Sequence, residues 1–164
     1  MFTVFAGAVH CQKKASTAQR LRESLCGGSY PASIQQFLHA DSHAVDGFGE
    51  RCDFILRSLS EQVKSILRNT DFVARYGGEE FCCILPETGI KQALVIAERC
   101  RAAVAETTFE YQDAKTKITI SLGVAEMTPE IASPAVLIEK ADQALYEAKH
   151  SGRNRVIAAG QRDL

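Results

Sequence analysis

The stretch Asp71-Phe-Val-Ala-Arg-Tyr-Gly-Gly-Glu-Glu-Phe-Cys-Cys-Ile-Leu85 constrains the fold more than any other part of the chain. Two β-prone runs, residues 72–76 and 81–85, flank the pair Gly77-Gly78. The favoured two-residue hairpin turns need positive φ, which glycine adopts without a Cβ clash, so the pattern predicts a tight hairpin. Glu79 and Glu80 follow at once. A turn without side chains lets a bulky anionic ligand approach the backbone, and a carboxylate beside it can hold a metal. Successive strand side chains face opposite ways, so the two acids should not share one ion. One is expected to face a ligand while the other pairs with a cation or solvent. The alternative is two solvated acids at a hairpin end.

Helical and strand patterns alternate around this hairpin. Ile55, Leu59, Val63 and Ile66 recur at helical spacing behind Asp53, a candidate N-cap, and this helix is expected to end near Asn69. After a turn at 86–89, a helix is predicted over Ile90–Glu106, with Ala93, Ala97, Cys100 and Val104 along one stripe. Strands are predicted over 109–111 and 117–127, joined by residues 113–115. Ser133 is the predicted N-cap of a last helix, with Pro134 at the position where a missing N–H is harmless. Its buried face is Leu137, Ala141, Ala144, Leu145 and Ala148, Gly152 ends it, and residues 155–159 read as a final strand. Ahead of all this, residues 2–9 read as a strand, 15–25 as a short helix, 26–31 as a loop, and 41–53 as an acid-rich loop; 33–40 fits either class. The sum is an α/β sandwich: a mixed, largely antiparallel sheet with helices packed on its faces.

At 164 residues the chain suits one domain, long enough to bury roughly two thirds of its unfolded surface. A net charge of −1 provides no basic field for DNA, RNA or an anionic membrane. The six cysteines, at 11, 26, 52, 82, 83 and 100, form no C-x-x-C pair. Adjacent Cys82 and Cys83 should point to opposite sheet faces, so they read as reduced, buried hydrophobes and the setting as cytoplasmic. The apolar start, residues 1–9, is too short to span a bilayer and its basic residues follow it, so neither membrane insertion nor targeting is expected.

Three further groups of residues can carry chemistry. Lys149 and Arg153 stand four apart at the end of the last helix, where cations either complement the helix dipole or bind phosphate. Arg68 and Asp71 lie just ahead of the hairpin. They can form a local cap, or together read a guanine, the Arg stacking on a base and the Asp accepting its N–H groups, with Arg99 as a helper. His43, Asp41, Asp46 and Asp53 form an acidic stretch. Mg²⁺ prefers carboxylate oxygens and substrate phosphates, so any of these Asp residues can join a hairpin glutamate, or all can be solvated turns.

Four segments in order resemble the GGDEF family, the diguanylate cyclase domains of bacterial second-messenger signalling. They are Arg68/Asp71 at its spacing from the glycines, Arg75-Tyr-Gly-Gly-Glu-Glu-Phe81, Ser121-Leu-Gly-Val124, and Ala141-Asp-Gln-Ala-Leu-Tyr-Glu-Ala-Lys-His-Ser-Gly-Arg-Asn-Arg155. The resemblance runs from about Asp53 to Val156. It implies a polymerase-palm-like fold and condensation of two GTP to cyclic di-GMP with release of two pyrophosphates. By position it implies Glu79 as the Mg²⁺ ligand, with Mn²⁺ as a substitute ion, and Glu80 as the second catalytic acid. Lys149 and Arg153 would hold the β- and γ-phosphates, Gly77 and Gly78 would make room for the nucleotide, and Asp53 would contact guanine. Arg68, Asp71 and Arg99 would form an allosteric product site. A product with two-fold symmetry implies a C₂ homodimer.

The resemblance weakens towards the front. The family's L-T-x-L-x-N-R-R segment is not visible. Its D-x-D-x-F-K-x-x-N-D stretch corresponds to Phe37-Leu-His-Ala-Asp-Ser-His-Ala-Val-Asp46, without F-K and without the guanine-contacting Asn. Its F-G-H-x-x-G-D-x-x-L stretch is Phe48-Gly-Glu-Arg-Cys-Asp-Phe-Ile-Leu56, one residue short, which leaves Asp41 as the stand-in for the second metal ligand. Residues 1–36 thus form a divergent segment, within the same domain or outside it, ahead of a GGDEF-like domain over 37–160. Two readings follow: an active cyclase, or a degenerate domain that binds GTP or cyclic di-GMP as a regulatory module.

Overall fold

The computed structural model describes residues 2–11, 48–77, 79–131 and 133–160. The expected strand at the start is β1 (Phe2–Cys11), and it runs through the middle of the sheet. It is antiparallel to β3 (Glu80–Pro86) on one side, with Phe5 opposite Cys83 and Ala8 opposite Glu80. On its other side it is antiparallel to β5 (Ala114–Glu126), with Gly7 opposite Leu122. The edges are β2 (Phe72–Gly77), paired with β3, and β4 (Thr108–Tyr111), paired with β5. The short β6 (Val156–Ala158) joins β5 in parallel, which makes the sheet mixed but mostly antiparallel, as the sequence predicts.

Helices cover both faces, and the period-two alternation of the central strands assigns each side chain to one of them. α1 (Phe48–Ile66) and α2 (Ile90–Glu106) pack on one face, where Ile55, Leu59, Val63, Ala93, Ala97, Cys100 and Val104 meet Phe5, Cys83, Leu85, Leu122 and Val124. α3 (Pro134–His150) packs on the other, where Leu137, Ala141 and Leu145 meet Val4, Ala6, Ala8 and Ala125. Gln62 ties α1 to the end of α2 by donating to the Ala103 carbonyl at 3.0 Å and to Thr107 Oγ1 at 2.7 Å. Two glycines permit close approach. A Cβ on Gly7 would collide with the Phe81 ring, and one on Gly123 would enter the α3 backbone at Ala141 and Leu145.

The sequence places α2 and α3 correctly, including the Ser133 cap, whose Oγ accepts from the Val136 N–H. Four expectations shift. α1 begins at Phe48, so Asp53 lies inside the helix and is not its N-cap, and residues 48–53 are not a loop. The Phe54 ring meets Tyr111 of β4 at 5.2 Å, a tertiary contact beside the early turns that local spacing does not register. α1 also stops at Ile66, before Asn69, because the Arg68 N–H is taken by Asp71 Oδ2 at 2.8 Å. β5 starts at Ala114, not at 117, extended by ladder pairing with β4 and a 2.8 Å Lys115–Glu110 ion pair. The hairpin register moves too. A bulge between Arg75 and Gly77 puts Gly77 opposite Glu80, so Gly77 belongs to β2 and not to the turn. Gly78, Asp41, His43 and Asp46, and the expectations for 12–40, lie outside the described residues.

Cys82, Cys83 and Cys100 are free thiols, and the first two face opposite layers as expected. Burial, reinforced by Asp142, pushes the Cys82 thiol up to about 12. Burial raises Cys100 to about 11 against the opposing Arg99 charge, and raises Cys83 well above its ordinary value. Among the described residues no helix is long and apolar enough to cross a membrane.

Two outcomes are expected. Gly123→Ala pushes α3 off β5 and should cost on the order of 3 kcal/mol in denaturant unfolding. The raised thiols favour the folded state fully below the unfolded thiol pKa, and this preference is lost as pH rises through 9 towards 12. Unfolding free energy should therefore fall over that window, and Cys82→Ala should make the fall shallower.

Candidate active site

The hairpin and the end of α3 meet beside the sheet. Glu80 shares its sheet face with Cys82 and Ile84, the face that α3 covers. Lys149, in the last turn of α3, donates from Nζ to Glu80 Oε1 at 2.8 Å. The pair is only partly shielded, with 25% of the Lys149 side chain and 44% of the Glu80 side chain exposed. Asp142, two helical turns before Lys149, completes the cluster. Its pKa is raised, first by burial and then by the Glu80 charge, with Lys149 opposing.

Glu79 stands in the connection, exposed, and its carbonyl accepts from the Val9 N–H at 3.2 Å. Glu79 thus stands outside the strand ladder, where the alternation of strand side chains does not apply. The strand bordering them is β1, and none of its residues, Phe2–Cys11, is a carboxylate. A groove between α1 and the hairpin is lined by Leu56, Leu59 and Ser60 on one side and by Val73, Arg75 and both Glu79 and Glu80 on the other. Asp53, half-buried, lies one helical turn before Leu56.

After Lys149 the chain enters a left-handed turn. Ser151 caps α3 and donates to the Glu147 carbonyl at 2.8 Å, and the Arg153 N–H reaches back to the Ala148 carbonyl at 3.0 Å. This is the Schellman ending, with Gly152 at φ +114°. Arg153 and Asn154 continue in the left-handed region at φ 60° and 47°. The turn presents Arg153 on the surface, without an ion-pair partner among the described residues.

Arg68 and Asp71 form a reciprocal turn, each backbone N–H bonded to the other residue. The second oxygen, Asp71 Oδ1, is buried and has no hydrogen-bond partner among the described residues. Nearby, burial is the main cause that raises the Cys83 and Cys100 thiols, with Cys82, Cys100 and Asp71 adding to the rise at Cys83 and Arg99 opposing it at Cys100.

Mg²⁺ takes hard oxygen donors, usually one or two carboxylates plus substrate phosphates. Glu79 is such a donor, while Glu80 is engaged by Lys149 and β1 adds none. Among the described residues no group of three His, Cys, Asp or Glu side chains can hold a metal. The donor set suits an ion that arrives with a phosphate ligand, with Lys149 and Arg153 to share the anionic charge.

The profile described as "Diguanylate cyclase, GGDEF domain" matches residues 43–155, more than half of the chain. The chain belongs to the GGDEF family. It is 43% identical over 104 residues to Diguanylate cyclase A of Treponema denticola, covering 63% of this chain and 28% of that protein. It is 40% identical over 152 residues to Diguanylate cyclase DgcP of Pseudomonas aeruginosa, covering 89% of this chain and 22% of that one. The chain thus spans less than a third of these curated relatives. Among solved structures, the active GGEEF domain of a diguanylate cyclase from Vibrio cholerae superposes with a TM-score of 0.68 at 25% identity, over 98% of this chain and 84% of that one. The GGDEF domain of DgcB from Caulobacter crescentus, in complex with cyclic di-GMP, superposes with a TM-score of 0.67 at 25% identity, over 98% and 80%.

Sequence reasoning singles out Glu80 and Lys149 separately, and the fold joins them. It overlooks Asp142, whose seven-residue spacing from Lys149 places both on one helix face and was a usable signal. It also overlooks Arg101, which meets the Arg153 turn only through the tertiary fold. Replacing Glu80 by Gln removes the like charge beside Asp142 and frees Lys149 to act on it. In a carboxyl NMR titration the Asp142 pKa should move down towards the ordinary carboxylate range, and Lys149→Met should move it up. Reversed shifts would contradict the cluster.

Proposed function

We propose that the chain condenses two molecules of GTP into cyclic di-GMP and two pyrophosphates. The observation that carries the reading is the Glu80–Lys149 contact, which brings the GGEEF hairpin to the cationic end of α3. In each half-reaction the 3′-oxygen of one GTP attacks the α-phosphorus of the other. A new P–O bond forms, the bond to pyrophosphate breaks, and the hydroxyl proton leaves. Both steps need anionic charge spread over cations and an in-line approach.

The residues take these roles. Glu79 holds Mg²⁺ together with the phosphates, and Asp41 is the proposed second carboxylate. Mg²⁺, or Mn²⁺ in its place, supplies charge neutralisation when bound. Lys149 and Arg153 grip the β- and γ-phosphates. Glu80 orients Lys149 before the nucleotide arrives. Gly77 and Gly78 keep the hairpin open to the phosphates, and Asp53, beside the groove behind the hairpin, contacts guanine. Cyclic di-GMP is read by Arg68, Asp71 and Arg99. A two-fold product calls for a C₂ homodimer with one GTP on each subunit. Residues 37–160 form the working domain, with β1 completing its sheet, and the setting is cytoplasmic.

One observation favours a second reading, a domain that binds GTP or cyclic di-GMP without turnover: the strand beside the hairpin brings no carboxylate. A single assay separates the two. Purified protein incubated with GTP and Mg²⁺ should yield cyclic di-GMP, and Glu79→Gln should reduce the rate by roughly 100-fold or more. No product, together with cyclic di-GMP binding that Arg68→Ala abolishes, would sink the cyclase and establish the receptor.

A further inference from the structure

We propose that Arg101 is a positioning residue that, through Asn154, holds the left-handed turn carrying Arg153 in its phosphate-binding shape; this rests on the nucleotide reading above. Arg101 lies on α2, far in sequence from the turn. Its Nη1 donates to Asn154 Oδ1 at 2.7 Å. The rest of the guanidinium is locked by Glu98, with Nε 2.9 Å from both carboxylate oxygens and Nη2 2.7 Å from Oε1. A guanidinium clamped on one side by a bidentate carboxylate is a rigid donor on the other. The Arg101 side chain is 19% exposed against 53% for Glu98, so the guanidinium is the more shielded partner of the pair.

The turn needs such a hold. Residues 152–154 are three consecutive left-handed residues, and only Gly152 adopts that region freely. Asn tolerates it, whereas Arg153 does not favour it. Three other contacts brace the same segment. The Asn154 N–H donates to the buried Ser121 Oγ at 3.1 Å, the Leu122 N–H to the Arg155 carbonyl at 2.9 Å, and Arg155 Nε to the Arg153 carbonyl at 3.2 Å. Those three bonds tie the turn to β5 and to itself. Among the described residues the Arg101 bond is the tie to α2, so the angle at which Arg153 leaves the surface is fixed by two layers of the sandwich. A cation held in place before the ligand arrives loses less freedom on binding.

The test measures two quantities on the same variants. Calorimetric affinity for GTP with Mg²⁺ is compared with affinity for guanosine, which lacks phosphates. Hydrogen exchange at the Asn154 and Leu122 amides reports the turn itself. Arg101→Ala should weaken GTP by about 10-fold, the loss expected for one charge-assisted hydrogen bond, and leave guanosine unchanged. Exchange at both amides should quicken. Arg101→Lys should recover part of the affinity, and Asn154→Ala combined with Arg101→Ala should be no worse than Asn154→Ala alone. Glu98→Gln, a milder change, should fall between parent and Arg101→Ala, and Lys115→Ala, at an exposed pair away from the turn, should match the parent. Unchanged exchange in Arg101→Ala overturns the hold on the turn, and faster exchange with unchanged GTP affinity overturns the positioning of Arg153. Equal loss of GTP and guanosine overturns the phosphate role. A parent chain that binds no GTP overturns the nucleotide reading and the phosphate role together, while the exchange result still decides whether Arg101 holds the turn.

Discussion

The seating of α3 against β5 at Gly123 is the contact on which the site depends. No side chain separates the strand from the helix backbone at Ala141 and Leu145. The helix is thereby held at a depth that a larger residue forbids, and Ala141, Ala144 and Ala148 keep the rest of the interface shallow. Depth at this end of the helix sets reach at the other. From this seat Lys149 meets Glu80 at 2.8 Å, and the chain then turns back to place β6 alongside β5. A packing constraint in the sheet therefore determines where the cations stand relative to the hairpin acids.

Magnitudes decide what the Glu80–Lys149 pair is for. Both partners are partly exposed, and ion pairs in such settings contribute about 1 kcal/mol or less. That is too little to matter for the stability of the fold, but enough to keep a flexible lysine in one orientation. It is also weak enough for a triphosphate, with several charges at close range, to draw Lys149 towards itself. The pKa of Asp142 in the same corner is raised first by burial and then by the Glu80 charge, with Lys149 opposing.

Much of this architecture is legible in local sequence, and the exceptions share a cause. α2 and α3 are readable because their apolar residues keep strict helical spacing and because Ser133-Pro134 marks a start with its own chemistry. The family is readable because the Gly-Gly-Glu-Glu turn and the Lys149/Arg153 pair each sit in one short segment. The early part of α1 is hidden by glycines at 47 and 49 and by a stabilising contact, Phe54 on Tyr111, that lies far away in sequence. The hairpin register is hidden by a bulge whose extra residue leaves no mark in composition. Arg101 is invisible for the same reason as the Phe54 contact. On the sequence it is one more charge on the polar face of an amphipathic helix, and only the tertiary fold, which brings the turn after α3 to α2, gives it Asn154.

In the proposed function the hairpin and the end of α3 are two sides of one metal–phosphate site, which paramagnetic broadening can probe. Mn²⁺ and GTP are titrated into the isotope-labelled chain while backbone amide signals are followed by NMR. Amides of residues 77–81 and 149–154 should broaden together, and only when GTP accompanies the ion, because among the described residues no group of three His, Cys, Asp or Glu side chains holds a metal. Broadening confined to one of the two segments, or equal broadening by Mn²⁺ without nucleotide, would contradict it.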